Sequence, residues 1–280
     1  MHAVSSIESL LCMLNVSIVL YHPDWKQVIR LTSILLESQR VRNIYWVDNS
    51  PVTTTSIPFQ SKRIQYIHND TNLGYGAAHN MAIRQSIYDD VPFHLVVNSD
   101  ITFDVDALHA MLDFISSNPQ VGSLMPKVIY PNGDIQRLCK LLPTPLDVFS
   151  RRFLPAAWTK KRTRRYEMHD SGYDKIMNVP YLSGCFMLLR TAAVFQVRLF
   201  DERFFMYPED IDLTRRLHRD YLTVYFPHAT IVHHHAKSSY KSLKMLWIHA
   251  VNMCKYFNKW GWFRDPEREL FNQTVIQEYL

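Results

Sequence analysis

Short apolar runs alternate with amphipathic segments through the first third of the chain. The runs typical of strands are NVSIVLY (15–21), NIYWVDNS (43–50), RIQYIH (63–68) and FHLVVNSD (93–100). The segments typical of helices are DWKQVIRLTSILLESQ (24–39) and the later part of NLGYGAAHNMAIRQSIY (72–88). Strands that alternate with helices form parallel sheets that are buried on both faces. The sequence therefore predicts an α/β fold, with a mostly parallel central sheet and helices on both of its faces.

Three of these predicted strands end in polar residues. Tyr21 ends the first, Asp48 and Asn49 end the second, and residues 98–100 end the fourth. An open parallel sheet binds its ligand beyond the carboxyl ends of its strands, where the strand order reverses. We therefore expect these residues to lie around one ligand.

The second half of the chain has a less regular pattern. The apolar run at 179–190 is predicted to cross the back of the sheet, and residues 200–218 to begin as a loop and become a helix. Residues 222–236 are predicted to form a pair of strands broken by Pro227. Residues 242–263 carry apolar side chains on one stripe, which predicts a C-terminal helix.

The composition is that of an ordinary globular protein. The 280 residues are 47% apolar and 20% charged, with a formal net charge of +5. These values fit one large domain, with or without a modest extension, and exclude disordered, collagen-like and disulfide-rich proteins. The four cysteines form no CxxC pair, which favours a reducing compartment and a cytoplasmic protein. Neither a signal-like N-terminus nor a run of about 18 uncharged apolar residues occurs, so no membrane span is expected.

The segment NLGYGAAHN joins a predicted strand to a helix. Gly74 and Gly76 are spaced as in a dinucleotide fingerprint, but His79 occupies the third glycine position, so that interpretation fails. The sequence also lacks a P-loop. What remains is a glycine-containing backbone that can approach a phosphate or sugar closely, with Asn72 and Asn80 as amide donors and acceptors. A plain turn is the alternative.

The segment VVNSD ends an apolar strand in a carboxylate. A divalent cation that holds a diphosphate needs only one or two protein carboxylates, because phosphate oxygens and water complete its coordination. Asp100 suits that role. The alternative is that Asp100 caps the following turn.

The segment PEDID places Glu209, Asp210 and Asp212 at the start of a helix. The helix dipole and the free backbone amides stabilise carboxylates there. Such a carboxylate could remove a proton from a hydroxyl nucleophile. N-terminal capping is the alternative for one of the three.

The segment IVHHHA contains three consecutive histidines. On a strand His233 and His235 point to one face and His234 to the other, so at most two can contact a single metal. The sequence has no HExxH zinc motif. One histidine that joins a carboxylate at a diphosphate-bound Mg²⁺ or Mn²⁺ is the more economical interpretation. A structural role is the alternative.

The region 151–165 has seven basic residues and no acidic one, and is predicted to be a solvated loop. It also contains Trp158, and the C-terminal segment adds Trp247, Trp260 and Trp262. Basic and aromatic side chains together favour an anionic membrane surface. A solvated loop beside a core helix is the alternative. Nucleic acid is not expected, because the net charge is small and no nucleic-acid-binding motif occurs.

Taken in order, these segments resemble an inverting glycosyltransferase of family 2 with the GT-A fold. The matching pieces are VSIVLYHPD, VDNS, NLGYGAAHNMAI, VVNSDITF, SGCFMLLR, FDERFFMYPEDIDLTRRL and IVHHHAKSS. The resemblance is strongest to the rhamnosyltransferase-like branch, which builds O-antigen and other bacterial surface polysaccharides. It implies a catalytic domain over 15–240, in which 15–104 bind the nucleotide-sugar and 105–240 bind the acceptor. Residues 1–14 would be an extension and 241–280 a helical segment that can associate with a membrane.

The resemblance also implies roles for single residues. Asp210 would be the general base, with Glu209 in support, and Asp100 and His233 would bind a divalent metal. Some relatives have two carboxylates where this chain has Asn98 and Asp100. The implied nucleotide-sugar-binding residues are Tyr21, Asp48, Asn49, Asn72, Gly74, Asn80, Asn98 and Asp100.

The implied reaction is a single displacement at the anomeric carbon. The donor would be dTDP-rhamnose, with a UDP-sugar as the alternative, and the acceptor a polyprenyl-diphosphate-linked glycan. The protein would then work in the cytoplasm or on the cytoplasmic face of the inner membrane. The alternatives from another class are a homologue that binds a nucleotide-sugar without turnover and a nucleic-acid-binding protein.

Overall fold

The computed structural model describes residues 13–52, 59–234 and 243–280. The strands are β1 (Leu14–Leu20), β2 (Val41–Asp48), β3 (Ile64–His68), β4 (Phe93–Val97), β5 (Ile101–Phe103), β6 (Val121–Ile129), β7 (Cys139–Lys140), β8 (Met177–Asn178), β9 (Tyr181–Leu182), β10 (Phe186–Arg190) and β11 (Leu222–His233). The helices are α1 (Trp25–Glu37), α2 (Tyr75–Tyr88), α3 (Val105–Ser117), α4 (Pro145–Phe153), α5 (Ala156–Tyr166), α6 (Thr191–Gln196), α7 (Glu209–Leu217), α8 (Leu243–Trp260) and α9 (Pro266–Tyr279). The predictions for residues 1–12 and for His235 lie outside the described residues.

A nine-stranded sheet forms the centre of the protein. Its order is β3-β2-β1-β4-β10-β6-β11-β5, and β8 pairs with β11. Six strands run in one direction, while β5, β8 and β10 run against them. The predicted α/β fold with a mostly parallel sheet is therefore confirmed. Because the six parallel strands share a direction, Tyr21, Asp48, Asp100 and His233 all lie at one edge, which we call the carboxyl edge.

Strand β10 corrects the prediction that 179–190 crosses the back of the sheet. The strand lies inside the sheet, antiparallel to β4 on one side and β6 on the other. Four of its five residues are buried. A run that is apolar on both faces is typical of a central strand, which explains the pattern. Since β10 is reversed, Gly184 and Cys185, which precede it, also lie at the carboxyl edge.

The segment 222–236 was predicted as two strands, and this is wrong over the described part. Residues Leu222–His233 form the single strand β11, which pairs with β6 on both sides of a register shift between Phe226 and Thr230. Pro227 falls in that irregularity. A proline cannot donate to the ladder, and a bulge accommodates it without ending the strand.

The basic segment 151–165 is helical, which corrects the predicted loop. Thr144 and Asp147 form a reciprocal capping box at the start of α4, and Pro145 occupies the first helical position. These signals start α4, and α5, which holds most of the basic residues, begins after Pro155 without a side-chain cap. Two of the basic side chains form ion pairs, Arg162 with Asp147 and Arg164 with Asp170.

A buried polar contact joins α2 to β1 and β4 beneath the carboxyl edge. The Ser17 hydroxyl lies 2.6 Å from His79 Nδ1 and 2.8 Å from His94 Nε2. His94 Nδ1 lies 2.7 Å from Ser86 Oγ. Burial lowers the pKa of His79 well below its usual range and that of His94 to about 3. Both histidines are therefore neutral in the folded protein at neutral pH.

We expect this arrangement to make the fold lose stability as the pH falls. Histidines in the unfolded chain take up protons near pH 6.5, whereas His94 in the folded protein stays neutral down to about pH 3. This effect leaves the free energy of unfolding unchanged above about pH 6.5. As the pH drops below that value, it lowers the free energy of unfolding by up to about 1.4 kcal/mol per pH unit for each buried histidine. Urea unfolding from about pH 7.5 to about pH 5.5 measures the slope. In His94→Gln the free energy of unfolding should change less steeply with pH than in wild type. The control is His228→Gln, at an exposed site. An equally steep pH dependence in the two variants would contradict the expectation.

The two C-terminal helices pack on α7 through buried charges. The Arg215 side chain is 1% exposed and binds both oxygens of Asp265 at 2.6 and 2.7 Å, and Glu267 at 2.7 Å. Its guanidinium lies 4.1 Å from the centre of the Trp260 ring. Trp260 is therefore a structural contact between α8 and α7. None of the described helices is long and apolar enough to cross a bilayer.

Candidate active site

The loop before α2 is fixed by a glycine that no other residue can replace without strain. Gly74 has φ +90°, and a Cβ at this position would lie 2.4 Å from the carbonyl oxygen of Phe205. The Gly74 N–H donates to Asn72 Oδ1 at 3.0 Å, and the Tyr75 N–H donates to the Phe205 carbonyl at 3.0 Å. The glycine motif therefore brings the start of α2 against the segment that leads into α7.

Asp48 and Asn49 tie the end of β2 to its neighbours. Asp48 is fully buried and accepts hydrogen bonds from Tyr66 Oη at 2.7 Å and from the Ser50 N–H at 2.9 Å. Asn49 is also buried and donates to Asn72 Oδ1 and to the Gly74 carbonyl, both at 3.2 Å. The buried side chains of these two predicted nucleotide-binding residues hold neighbouring segments of the carboxyl edge together by hydrogen bonds.

Asn80 and Tyr21 differ sharply in exposure. Asn80 is buried, and its amide N–H groups donate to the Phe200 carbonyl and to Glu202 Oε1, both at 2.9 Å. Both donors are used within the protein, so its contact with a nucleotide-sugar stays a prediction. Tyr21 is 53% exposed at the end of β1, where its ring is open to a ligand.

Asp100 and His233 lie side by side at the ends of β4 and β11. His233 Nε2 is 3.3 Å from Asp100 Oδ1. The Gln136 amide donates to the His233 carbonyl at 2.9 Å, so its Oε1 accepts from His233 Nδ1, also at 2.9 Å. Nδ1 therefore donates to Gln136, and Nε2 is directed at Asp100, which is the orientation of a metal-binding histidine with a supporting amide.

The pair fits a divalent cation. Burial lowers the pKa of His233, but the Asp100 carboxylate and the Cys185 thiol beside the ring outweigh it and raise the pKa to about 10. A bound cation would replace that proton. One carboxylate and one imidazole suit Mn²⁺ or Mg²⁺ when a substrate supplies further oxygens. No group of three or more ligating side chains suited to a metal occurs within the described ranges.

Asp210 and Glu209 begin α7, and Asp210 contacts Gly184 at the carboxyl edge. Asp210 is 8% exposed and accepts hydrogen bonds from the Gly184 N–H at 2.8 Å and from the Ile211 N–H at 2.7 Å. Burial raises the pKa of Asp210 to about 6, and burial with the neighbouring Asp210 raises that of Glu209 well above its usual range. Glu209 Oε2 is buried without a hydrogen-bond partner. The pair therefore holds one readily titrated carboxylate and one neutral carboxyl group.

Asp212, the third carboxylate of the segment, has a different role. It binds Arg216 at 2.8 Å, Lys259 at 2.5 Å and the Trp260 indole N–H at 2.8 Å. The alternative of N-terminal capping is wrong for this residue, because its charge joins α7 to α8. The same helix thus presents its first residues to the carboxyl edge and its opposite face to the C-terminal helices.

Contacts that the sequence analysis missed join the two halves of the site. The Tyr75 hydroxyl lies 2.9 Å from Asn98 Oδ1 and 2.7 Å from the Gly184 carbonyl. The Asn98 N–H donates to the Cys185 carbonyl at 3.0 Å. Tyr75, Gly184 and Cys185 lie inside motifs that had been noted for other residues. Gln136 lies in no motif, and the sequence carries no signal for it.

Comparison with known proteins identifies the family of this chain. Residues 28–195, more than half of the chain, match the model of the family described as glycosyl transferase family 2. A protein of Mycobacterium tuberculosis named N-acetylglucosaminyl-diphospho-decaprenol L-rhamnosyltransferase is 29% identical over 222 residues, covering 75% of this chain and 72% of that one.

Solved structures share the fold at low sequence identity. GalNAc-T7 with UDP, GalNAc and Mn²⁺ has a TM-score of 0.58 and 13% identity, over 80% of this chain and 43% of that chain. The mannosyltransferase PcManGT from Pyrobaculum calidifontis, with GDP-Man and Mn²⁺, has a TM-score of 0.58 and 13% identity, over 88% and 63%. S. aureus TarS 1–349 has a TM-score of 0.54 and 15% identity, over 88% and 65%. The chain spans less than two thirds of each of these three chains, and at these identities the likeness concerns the fold.

Proposed function

Because this chain belongs to glycosyl transferase family 2, we propose that it moves a sugar from a nucleotide-diphospho-sugar to a glycan hydroxyl, with inversion at the anomeric carbon. Its fold is the GT-A fold predicted from the sequence. The observation that carries the proposal is the geometry of the carboxyl edge. A buried carboxylate at Asp210 is linked there, through Gly184, Tyr75 and Asn98, to the turn that carries Asp100.

Asp210 is the residue we assign to proton transfer. As the acceptor oxygen bonds to the anomeric carbon, the bond to the diphosphate breaks and the hydroxyl proton passes to the Asp210 carboxylate. With a pKa of about 6, this group is ionised at neutral pH and basic enough to take the proton. Glu209 stays neutral beside it, so the pair carries a single negative charge. One displacement inverts the anomeric centre and needs no covalent enzyme intermediate.

Asp100 and His233 are the residues that would hold Mg²⁺ or Mn²⁺. A cation bound there neutralises charge on the diphosphate leaving group. The Mn²⁺ named with GalNAc-T7 and with the mannosyltransferase supports this assignment. Gln136 fixes the ring of His233 and so keeps its Nε2 directed at Asp100, where the two side chains would hold the cation.

The remaining predicted residues bind or shape the donor side. We assign Tyr21 to the nucleotide base, because its ring is open to ligand, and Asn98 to the sugar or ribose beside Asp100. Asp48, Asn49, Asn72, Gly74 and Asn80 hold the surrounding loops by the hydrogen bonds described above.

We base the proposed donor and acceptor classes on the name of the M. tuberculosis relative. The M. tuberculosis protein is named for transfer of L-rhamnose to an N-acetylglucosaminyl-diphospho-decaprenol. We propose the same classes here: a dTDP-linked deoxysugar such as rhamnose, with a UDP-sugar as the alternative donor, and a polyprenyl-diphosphate-linked glycan as acceptor.

The test is release of nucleotide by the purified protein. The panel is dTDP-rhamnose, UDP-sugars and GDP-sugars, each with a lipid-linked N-acetylglucosamine acceptor and with Mn²⁺, Mg²⁺ or EDTA. We expect metal-dependent release from one donor class and the opposite anomeric configuration in the product. Donor binding by calorimetry without release under any condition would contradict catalysis, and a product with retained configuration would contradict the single displacement.

A surface on α4 and α5 has the side chains expected of a protein that contacts a membrane, where a lipid-linked acceptor would reside. The apolar side chains of Leu146, Phe149 and Trp158 are exposed there, Trp158 by 78%. Lys160 and Lys161 are also exposed and have no ion-pair partner among the described residues. We propose that this surface docks on the anionic cytoplasmic face of the inner membrane. The three described free cysteines, Cys139, Cys185 and Cys254, fit a reducing compartment.

Removing cations from this surface is expected to weaken membrane binding. Each basic side chain near an anionic surface contributes about 1 kcal/mol, so Lys160→Gln/Lys161→Gln/Arg165→Gln should lower affinity for phosphatidylglycerol vesicles by about a hundredfold. Co-sedimentation measures the partition coefficient. The matched control is Lys26→Gln/Arg30→Gln/Lys62→Gln, with the same charge change at exposed sites away from α4 and α5. If both triple variants lost the same affinity for the vesicles, the effect would arise from net charge alone, which would contradict a docking surface.

A further inference from the structure

The Tyr75 hydroxyl touches both halves of the site. We infer that Tyr75 is a positioning residue, which holds the turn that carries Asp100 against the segment that holds Asp210; this inference rests on the proposed function. The hydroxyl lies 2.9 Å from Asn98 Oδ1 and 2.7 Å from the Gly184 carbonyl oxygen. Both partners are acceptors, so the single hydroxyl proton is shared between them.

Each hydrogen-bond partner of the hydroxyl lies next to a residue with a proposed role in the reaction. Asn98 lies two residues before Asp100 in the turn between β4 and β5, and its N–H donates to the Cys185 carbonyl at 3.0 Å. Gly184 donates its N–H to Asp210 Oδ2 at 2.8 Å. A shift of Gly184 therefore moves a hydrogen bond of the base, and a shift of Asn98 moves the metal-binding carboxylate.

The space around Gly184 is fully occupied. A Cβ on Gly184 would lie 3.2 Å from Asp210 Cβ and 3.5 Å from Tyr75 Cε1. The Tyr75 ring, Gly184 and Asp210 thus form one packed unit. In such a unit a displaced hydroxyl cannot be replaced by rearrangement of a neighbouring side chain.

The ring of Tyr75 is held from its other side. His79 contacts it edge to face at 4.4 Å, and His79 is in turn fixed through its Nδ1 to Ser17 Oγ at 2.6 Å. The Tyr75 N–H is bound to the Phe205 carbonyl at 3.0 Å. The backbone and ring are therefore anchored independently of the hydroxyl, and phenylalanine fits the same space. What the hydroxyl adds is the link between Asn98 and Gly184.

The hydroxyl stays protonated, and so remains a donor, under working conditions. Burial raises the pKa of Tyr75 well above its usual range, and the nearby Cys185, Glu209, Asp210 and Asp100 raise it further. A group that stays protonated neither competes with Asp210 for the substrate proton nor changes its charge during the reaction. Its role is to keep the base and the leaving-group side at a fixed separation, on which the rate depends steeply.

The test compares Tyr75→Phe with Tyr88→Phe. Tyr88 ends the same helix, and its side chain is 85% exposed, so its variant controls for loss of a tyrosine hydroxyl from α2. In Tyr75→Phe we expect kcat to fall by about ten- to a hundredfold, with the donor KM changed by less than about threefold and the urea midpoint close to wild type. Tyr88→Phe should match wild type in all three.

The pH profile gives a readout that a merely structural role would not move. The groups that face Asp210 are Glu209 on α7, Lys140 on β7 and Tyr75 on α2. In Tyr75→Phe the Gly184 N–H is held less firmly, so the Asp210 carboxylate loses stabilisation. The acid limb of kcat/KM should therefore move to higher pH, because a weakened hydrogen bond to the charged form raises the pKa of a carboxyl group. An unchanged limb together with wild-type kcat would overturn the inference.

Hydrogen–deuterium exchange separates this inference from the proposed function. The Asn98 and Gly184 amides should exchange at least several times faster in Tyr75→Phe than in wild type or Tyr88→Phe, whether or not the protein turns over a donor. Unchanged exchange at both amides would overturn the positioning role. Faster exchange in a protein that neither binds nor consumes any donor would leave the Tyr75 link between Asn98 and Gly184 standing and refute the proposed function.

Discussion

Replacing Asp210 with asparagine is expected to lower kcat by about a hundred- to ten-thousandfold. Asparagine keeps the shape of the side chain and can still accept the Gly184 hydrogen bond, but it cannot take a proton from the acceptor hydroxyl. The donor KM should stay within about threefold of wild type, because proton removal is confined to the transition state. In wild type the rate should fall as the pH drops through about 6, where Asp210 becomes protonated.

The matched control for Asp210→Asn is Asp106→Asn. Asp106 lies in the first turn of α3 and is exposed, so the control makes the same charge change at a helix start away from the carboxyl edge. It should retain wild-type kcat. A ratio of kcat below about tenfold between the two variants would contradict assignment of the base to Asp210.

Replacing Arg215 with methionine is expected to lower the free energy of unfolding by about 3 to 5 kcal/mol. Its partner Asp265 is 2% exposed, so removal of the guanidinium leaves a buried carboxylate without its main compensating charge. Methionine keeps much of the volume, so the loss arises from the charge and not from a cavity. Urea unfolding at neutral pH measures the difference.

Two further variants separate this ion pair from the general effect of removing an arginine. Arg219→Met removes a side chain that is 46% exposed and shares Glu267, and should cost less than about 1 kcal/mol. Arg215→Met/Asp265→Asn should recover part of the loss, because asparagine keeps the cap of α9 without the buried charge. A double variant no more stable than Arg215→Met would contradict the explanation.

The elements and residues that could be predicted from the sequence are those with a local signal. The alternation of strands and helices predicts the sheet, because apolar periodicity reports burial directly. The polar ends of parallel strands predict that Tyr21, Asp48 and Asp100 share one edge, since a common strand direction fixes where they lie, and the family resemblance adds His233. The acidic start of α7 was recognised from three carboxylates at the start of a predicted helix.

The features that could not be predicted depend on partners distant in sequence. Gln136 supports His233 from 97 residues away, and Tyr75 contacts Gly184 from 109 residues away. An apolar run such as 179–190 does not state its place or direction in a sheet, so β10 was misplaced. The basic residues concealed two helices: α4 has start signals at Thr144 and Asp147, whereas α5 follows Pro155 without a side-chain cap.

The reversed strand β10 also determines when the site can exist during synthesis. It is the only strand paired with the inner edge of β4 on that side among the described residues, and it begins at Phe186. Until the ribosome has released this strand, the first half of the domain carries Asp100 on an open sheet edge, which is a surface prone to pairing with other chains. A fragment that ends near residue 104 is therefore expected to associate with other chains through this edge. The two halves become one catalytic unit only when a strand made late in the chain is inserted between them.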